Sequence, residues 1–123
     1  MNTLRDIAEK LYNANNILLY PHVGTDGDAV GSCVAIAKAL RTMGKTAYAL
    51  YEEEIPGNLS FMLNDPEGKP YFTSDPEIIR DEDLDISMAV DCGGWDRFKP
   101  YQDKFRAAKT TLCVDHPGTS LNT

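Results

Sequence analysis

Four short apolar runs divide this chain, and segments with helical periodicity lie between them. The runs cover residues 16–20, 46–51, 86–90 and 110–114. Strands that alternate with helices form a parallel sheet, because the helices supply the crossovers that return the chain to the same edge. The sequence therefore predicts an α/β fold, with a Rossmann-like parallel sheet of about four strands and helices on both faces.

Helices are predicted wherever apolar residues recur at three- and four-residue intervals. Gly44 marks the end of the helix after the first strand, since glycine readily adopts the left-handed conformation that ends helices. Proline and glycine interrupt the stretch between the second and third strands, so only short helices are expected there. The predicted helices span residues 3–13, 29–43 and 95–108, with short ones near 58–63 and 76–80.

Imidazole and carboxylate side chains follow three of the predicted strands. His22, Asp26 and Asp28 come after the first strand, Asp91 after the third and His116 after the fourth. Parallel strands joined by right-handed crossovers end at one edge of the sheet, where open α/β sheets bind their ligands. Carboxylates gathered there would repel one another unless cations lay between them. The pattern predicts two divalent ions about 3.5–4 Å apart, bridged by a shared carboxylate.

Each of these residues has a simpler interpretation when it is taken singly. Asp26-Gly27-Asp28 is typical of a turn or a helix cap, and residues 115–118 are typical of a turn. The metal site is favoured because five ligand-type residues occur together at matching strand ends.

Composition argues against two classes of partner, long nucleic acid and membranes. The chain has 123 residues, a net charge of −7 and a pI of about 4.7, which argues against a surface for long nucleic acid. It has neither an apolar run of the ~20 residues that a membrane span needs nor a signal-peptide pattern, so a cytoplasmic protein is expected. Its three cysteines form no Cys-x-x-Cys pair and are expected to be reduced and mostly buried, with no disulfide or zinc site.

Three motifs, each at a predicted strand end, resemble those of the DHH phosphoesterase superfamily. Residues 22–32, which read His-x-x-x-Asp-x-Asp-x-x-Gly-Ser, resemble its first motif. Residues 89–93 (Ala-Val-Asp-Cys-Gly) resemble the second, and residues 114–116 (Val-Asp-His) resemble the start of the third, the Asp-His-His signature. The leading helix and the first motif are most similar to the branch of nanoRNases and pAp phosphatases.

The resemblance implies an incomplete DHH domain that binds two manganese ions, with Mg²⁺ or Co²⁺ as alternatives. In this arrangement the ions are held by a set of side chains from all three motifs. His22 and Asp26 hold one ion, Asp28 and His116 hold the other, and Asp91 bridges the two.

The resemblance also implies the reaction. Asp91, Asp115 and His116 are the implied catalytic residues, and Asp115 orients its neighbour. Water activated by the metal ions would attack the phosphorus of a small nucleotide in line. The implied substrates are short oligoribonucleotides, linear dinucleotides or pAp, and the oligomeric state is left open, with a homodimer among the options.

Two departures from the family pattern leave alternatives. Pro117 stands where the signature has a second His, which in the family faces the scissile phosphate. Residues 1–123 are expected to be an N-terminal DHH domain cut before a further Asp ligand and a C-terminal substrate domain. The alternatives are a family II inorganic pyrophosphatase or exopolyphosphatase, which shares the first motif, and a non-catalytic domain that binds metal or nucleotide.

Overall fold

The computed structural model describes residues 4–21, 27–51, 64–90, 101–114 and 121–122, which build one sheet with helices packed against it. In chain order, the elements are α1 (Leu4–Asn13), β1 (Asn16–Pro21), α2 (Gly27–Thr42), β2 (Thr46–Leu50), β3 (Phe72–Thr73), 3₁₀ helices at Pro76–Ile78 and Asp81–Asp83, β4 (Ile86–Val90), α3 (Gln102–Ala107), β5 (Thr110–Val114) and β6 (Leu121–Asn122).

The sheet has the strand order β3-β2-β1-β4-β5-β6. Neighbouring strands are parallel except for β5 and β6, which are antiparallel. The predicted α/β fold is confirmed, and its four strands are β1, β2, β4 and β5. The two-residue edge strands β3 and β6 lie outside the prediction, because so short a segment shows no periodicity.

Helices cover both faces of the sheet. Successive side chains of a strand point to opposite faces, so an apolar strand has two faces to bury. Ile17 and Leu19 of β1 belong to the core that α1 and α2 cover. Leu18 and Tyr20 belong to the second core, which α3 covers. These four side chains are at most 1% exposed, so β1 is buried on both faces like the central strand of a parallel sheet.

Asp85 ties three strands together at the amino edge of the sheet. Its carboxylate accepts hydrogen bonds from the backbone amides of Asn15 (2.9 Å) and Asn16 (3.0 Å), where β1 begins. Lys109, just before β5, donates to the same carboxylate at 3.2 Å. Burial alone would raise the pKa of Asp85, but these donors outweigh it and hold the pKa below its usual value.

Arg41, in the last turn of α2, joins that helix to β2 and to the turn before β3. Its guanidinium lies over the rings of Tyr48 and Tyr71, 4.9 and 4.6 Å from their centroids. Only 12% of its side chain is exposed. Its hydrogen-bond acceptors are the carbonyl oxygens of Ala47 (3.0 Å), Lys69 (3.2 Å) and Pro70 (2.6 Å) and the carboxylate of Asp65 (3.2 Å).

The predicted helices correspond to the structure to different degrees. The first two are α1 and α2; α2 ends at Thr42, and the chain turns away at Gly44, whose φ of 84° is left-handed. The helix predicted over 95–108 is seen as α3 over 102–107, and residues 95–100 lie outside the described residues, as does the helix predicted near 58–63. The segment predicted near 76–80 forms a 3₁₀ helix at 76–78. The described helices, the longest of which has 16 residues, are too short or too polar to traverse a bilayer.

The expectation of reduced cysteines is wrong for Cys113, which is disulfide-bonded. Cys33 is free and buried, as expected. Three cysteines leave room for one pair, and sequence spacing does not show which thiols the fold brings within bonding distance.

Candidate metal centre at the carboxyl edge of the sheet

Three adjacent strands end at the same level on the carboxyl edge. Pro21, the last residue of β1, is the register partner of Val90, the last residue of β4. Val90 is also the register partner of Val114, the last residue of β5. We call these three residues the strand-end row. The residues that follow them in sequence are His22, Asp91 and Asp115.

The predicted ligands themselves fall almost entirely outside the described residues. Asp28 is in the first turn of α2, but its side chain is not described there. Within the described ranges, no group of three or more His, Cys, Asp or Glu side chains could hold a metal ion. The assignment of these ligands and catalytic residues therefore stays a prediction. His22, Asp26, Asp91, Asp115 and His116 lie outside the described residues.

Pro21 is an unusual last residue for a central strand, and the sheet accommodates it. Pairing between β1 and β2 ends at Leu19 and Ala49, whereas pairing between β1 and β4 continues to Pro21 and Val90. Proline lacks the N–H that a ladder needs, so it is tolerated where one side of the strand has no further partner. Among the described residues, the end of β1 therefore pairs with β4 alone.

Two buried hydroxyl groups join β1 to β4 just below the strand-end row. The hydroxyl of Ser87 donates to the phenol oxygen of Tyr20 at 3.3 Å, and both residues are at most 1% exposed. Phe105 of α3 packs edge-to-face against Tyr20, with centroids 5.0 Å apart and planes at 79°. Burial raises the pKa of Tyr20, so its phenol stays protonated. Sequence analysis missed this pair because Tyr20 and Ser87 lie inside runs that it took as uniformly buried.

The parallel sheet with helices on both faces defines the chain as a Rossmann-like α/β domain, and the polar motifs follow in sequence the carboxyl ends of three adjacent strands. The family model described as the DHH family, N-terminal domain, matches residues 16–122. The chain therefore belongs to the DHH family, as its motifs predict. Members of this family are metal-dependent phosphoesterases, and divalent ions are their general requirement.

A solved structure shares the fold. It is the crystal structure of an exopolyphosphatase-related protein from Bacteroides fragilis, with a TM-score of 0.67 and 17% sequence identity. The match covers 95% of this chain and 39% of that one, so this chain spans well under half of the length of its structural neighbour. No curated protein matches the chain.

Proposed function

We propose that this chain forms the metal-binding part of a phosphoesterase that hydrolyses phosphate esters of small nucleotides. The observation that carries the proposal is the strand-end row, because one predicted motif begins directly after each of its members. Membership of the DHH family supports the same chemistry.

Covalent geometry supports a shared site for the three motifs. Neighbouring strands lie about 4.8 Å apart, and consecutive Cα atoms lie about 3.8 Å apart. His22, Asp91 and Asp115 each follow directly after one member of the strand-end row. This spacing of the strand ends supports the proposal that the three motifs bind the same pair of cations.

The donor set fits a divalent ion such as Mn²⁺. Carboxylates suit Mn²⁺ and Mg²⁺, and imidazole is a common partner of the softer divalent metals. We assign His22 and Asp26 to one ion, Asp28 and His116 to the other, and Asp91 to both. When bound, the ions would activate water and neutralise the charge that develops on the phosphoryl oxygens.

Asp115 has a different role in this proposal. It follows Val114 directly and precedes the ligand His116 in the chain. A carboxylate that accepts a hydrogen bond from a ligating imidazole fixes the ring orientation and raises its basicity. We therefore propose that Asp115 orients the imidazole ring of His116.

The substrate class is tested with the Mn²⁺-dependent hydrolysis of pAp, a linear dinucleotide and inorganic pyrophosphate. We expect the nucleotides to be cleaved, and Asp91→Asn to abolish the reaction. Asp83→Asn, an exposed acid at the opposite edge, is the matched control and should leave the rate unchanged. Cleavage of pyrophosphate alone would instead support the alternative suggested by the exopolyphosphatase-related neighbour.

The second candidate is a non-catalytic binding function, and Pro117 is the reason for considering it. The family signature has a His at this position, and proline provides neither an imidazole nor an N–H. If the chain binds Mn²⁺ but does not turn over, Pro117→His should restore hydrolysis. Metal binding without any gain of activity in that variant would favour a binding domain.

A further inference from the structure

The buried hydroxyl pair of Tyr20 and Ser87 lies in the core that α3 covers. The other buried strand residues of that core are Leu18, Leu50 and Ala89, which have no polar side-chain group, and Tyr48, which carries a hydroxyl. Among the described residues, Ser87 is one of two buried polar or charged side chains. Replacing two hydrogen-bonded partners by apolar groups of the same shape is close to neutral for stability, so stability alone gives little reason for the pair.

The position of the pair suggests another reason. Tyr20 is the register partner of Ala89, and Leu18 is the register partner of Ser87. The phenol of Tyr20 therefore reaches two residues back along β4 to meet Ser87. A hydrogen bond that runs diagonally between two strands opposes any sliding of one strand along the other.

The end of β1 needs such a constraint more than the rest of the strand does. Beyond Leu19, in the part of the chain that the structure describes, β1 pairs only with β4. Tyr20 is the residue just before Pro21, and Phe105 holds its ring from the side of α3. The diagonal bond thus acts at the segment that leads directly into the first motif.

We propose that Tyr20 and Ser87 are positioning residues for the metal centre. Their hydrogen bond holds the end of β1 at a fixed height against the end of β4, and so sets the spacing between the first and second motifs. This inference rests on the proposed function, since it requires that both motifs bind one metal cluster.

The test compares Mn²⁺ affinity with stability in Tyr20→Phe, Ser87→Ala and the double variant. Affinity is measured by isothermal titration calorimetry without substrate, and stability by urea unfolding of the metal-free chain. We expect each single variant to bind Mn²⁺ about fivefold more weakly, a smaller loss than the ~10–100-fold that follows removal of a group bonded directly to a ligand. In the double variant the stability losses should be less than additive, because the two changes remove one shared hydrogen bond, and the affinity should stay as low as in the single variants.

Tyr48→Phe is the matched control. Tyr48 is buried in the same core, but it lies on β2, which no predicted ligand follows. Removal of the Tyr48 hydroxyl should leave the Mn²⁺ affinity unchanged. Equal affinity in all variants, or an equal loss in Tyr48→Phe, would overturn the positioning role while leaving the proposed function intact. Failure of the unmodified chain to bind Mn²⁺ would overturn both.

Discussion

Pro21 and Val90 end two central strands as register partners. Their pairing aligns the two strand ends that lead into motifs far apart in the sequence, because His22 follows Pro21 and Asp91 follows Val90. If both residues bind one cluster, their contributions to metal affinity depend on each other.

A double-mutant cycle should detect this dependence. We expect His22→Ala and Asp91→Asn each to weaken Mn²⁺ binding strongly, and the double variant to lose much less than the combined effect of the two changes. Groups that share a network are not additive, whereas distant groups are additive to within about 0.3–0.5 kcal/mol. Additive losses measured by calorimetry would place His22 and Asp91 in separate sites.

The Asp85 carboxylate should make folding stability depend on pH. Its folded-state pKa is lowered, so its stabilising effect is present above its unfolded pKa of about 3.9 and is lost as the pH falls through the folded value. We expect Asp85→Asn to lower the free energy of unfolding at pH 7 by about 1 kcal/mol, because the exposed amide of Asn15 and the half-buried amide of Asn16 lose a charged acceptor. The gap between this variant and the unmodified chain should narrow below pH 4 in urea unfolding.

Asp83→Asn provides the control, since Asp83 lies two residues away and its side chain is exposed. Its stability should follow that of the unmodified chain at every pH. A difference between Asp85→Asn and the unmodified chain that stays constant from pH 7 to pH 3 would contradict the assigned role of the carboxylate.

Arg41 should not be replaceable by lysine. Lysine cannot donate in several fixed directions at once or stack on the rings of Tyr48 and Tyr71 as a planar guanidinium does. We expect Arg41→Lys to lower the free energy of unfolding by roughly 1 kcal/mol, since the part-buried carbonyl oxygen of Ala47 and the exposed ones of Lys69 and Pro70 lose a shared donor. Arg80→Lys is the control, because Arg80 is 75% exposed and its pair with Glu82 is a surface contact at 3.6 Å. Equal losses in the two variants would show that the carbonyl contacts of Arg41 contribute little.

Cys33 should resist alkylation in the folded chain. It is fully buried, and burial raises the pKa of its thiol, so little of the reactive thiolate forms. Mass spectrometry after iodoacetamide treatment should find Cys33 labelled only after unfolding, and Cys113 labelled only after unfolding and reduction. Labelling of Cys113 in the unfolded, unreduced chain would show that its disulfide is absent.

Local pattern was sufficient to predict the framework of the fold. The third and fourth predicted strands coincide with Ile86–Val90 and Thr110–Val114, because continuous apolar runs bounded by polar residues define buried strands. Contacts between residues far apart in the sequence could not be predicted from local pattern. The carboxylate of Asp85 and the amide of Asn15 are 70 positions apart, and nothing in either neighbourhood reveals that they meet.

One part of the candidate site could likewise be predicted from the sequence and another part could not. Sequence order and the rule for parallel sheets predicted that the motifs share an edge, and the register of β1, β4 and β5 confirms that these three strands are adjacent and end together. The Tyr20–Ser87 bond depends on which face and which height each hydroxyl occupies, and only the register supplies that information.

Equilibrium dialysis against Mn²⁺ tests the central claim most directly. If the motifs after the strand-end row form one centre, the unmodified chain should bind about two ions, and Asp91→Asn should retain fewer than one, because a shared carboxylate serves both. Asp83→Asn should bind as the unmodified chain does. Absence of bound Mn²⁺, or equal binding by Asp91→Asn and Asp83→Asn, would contradict the account.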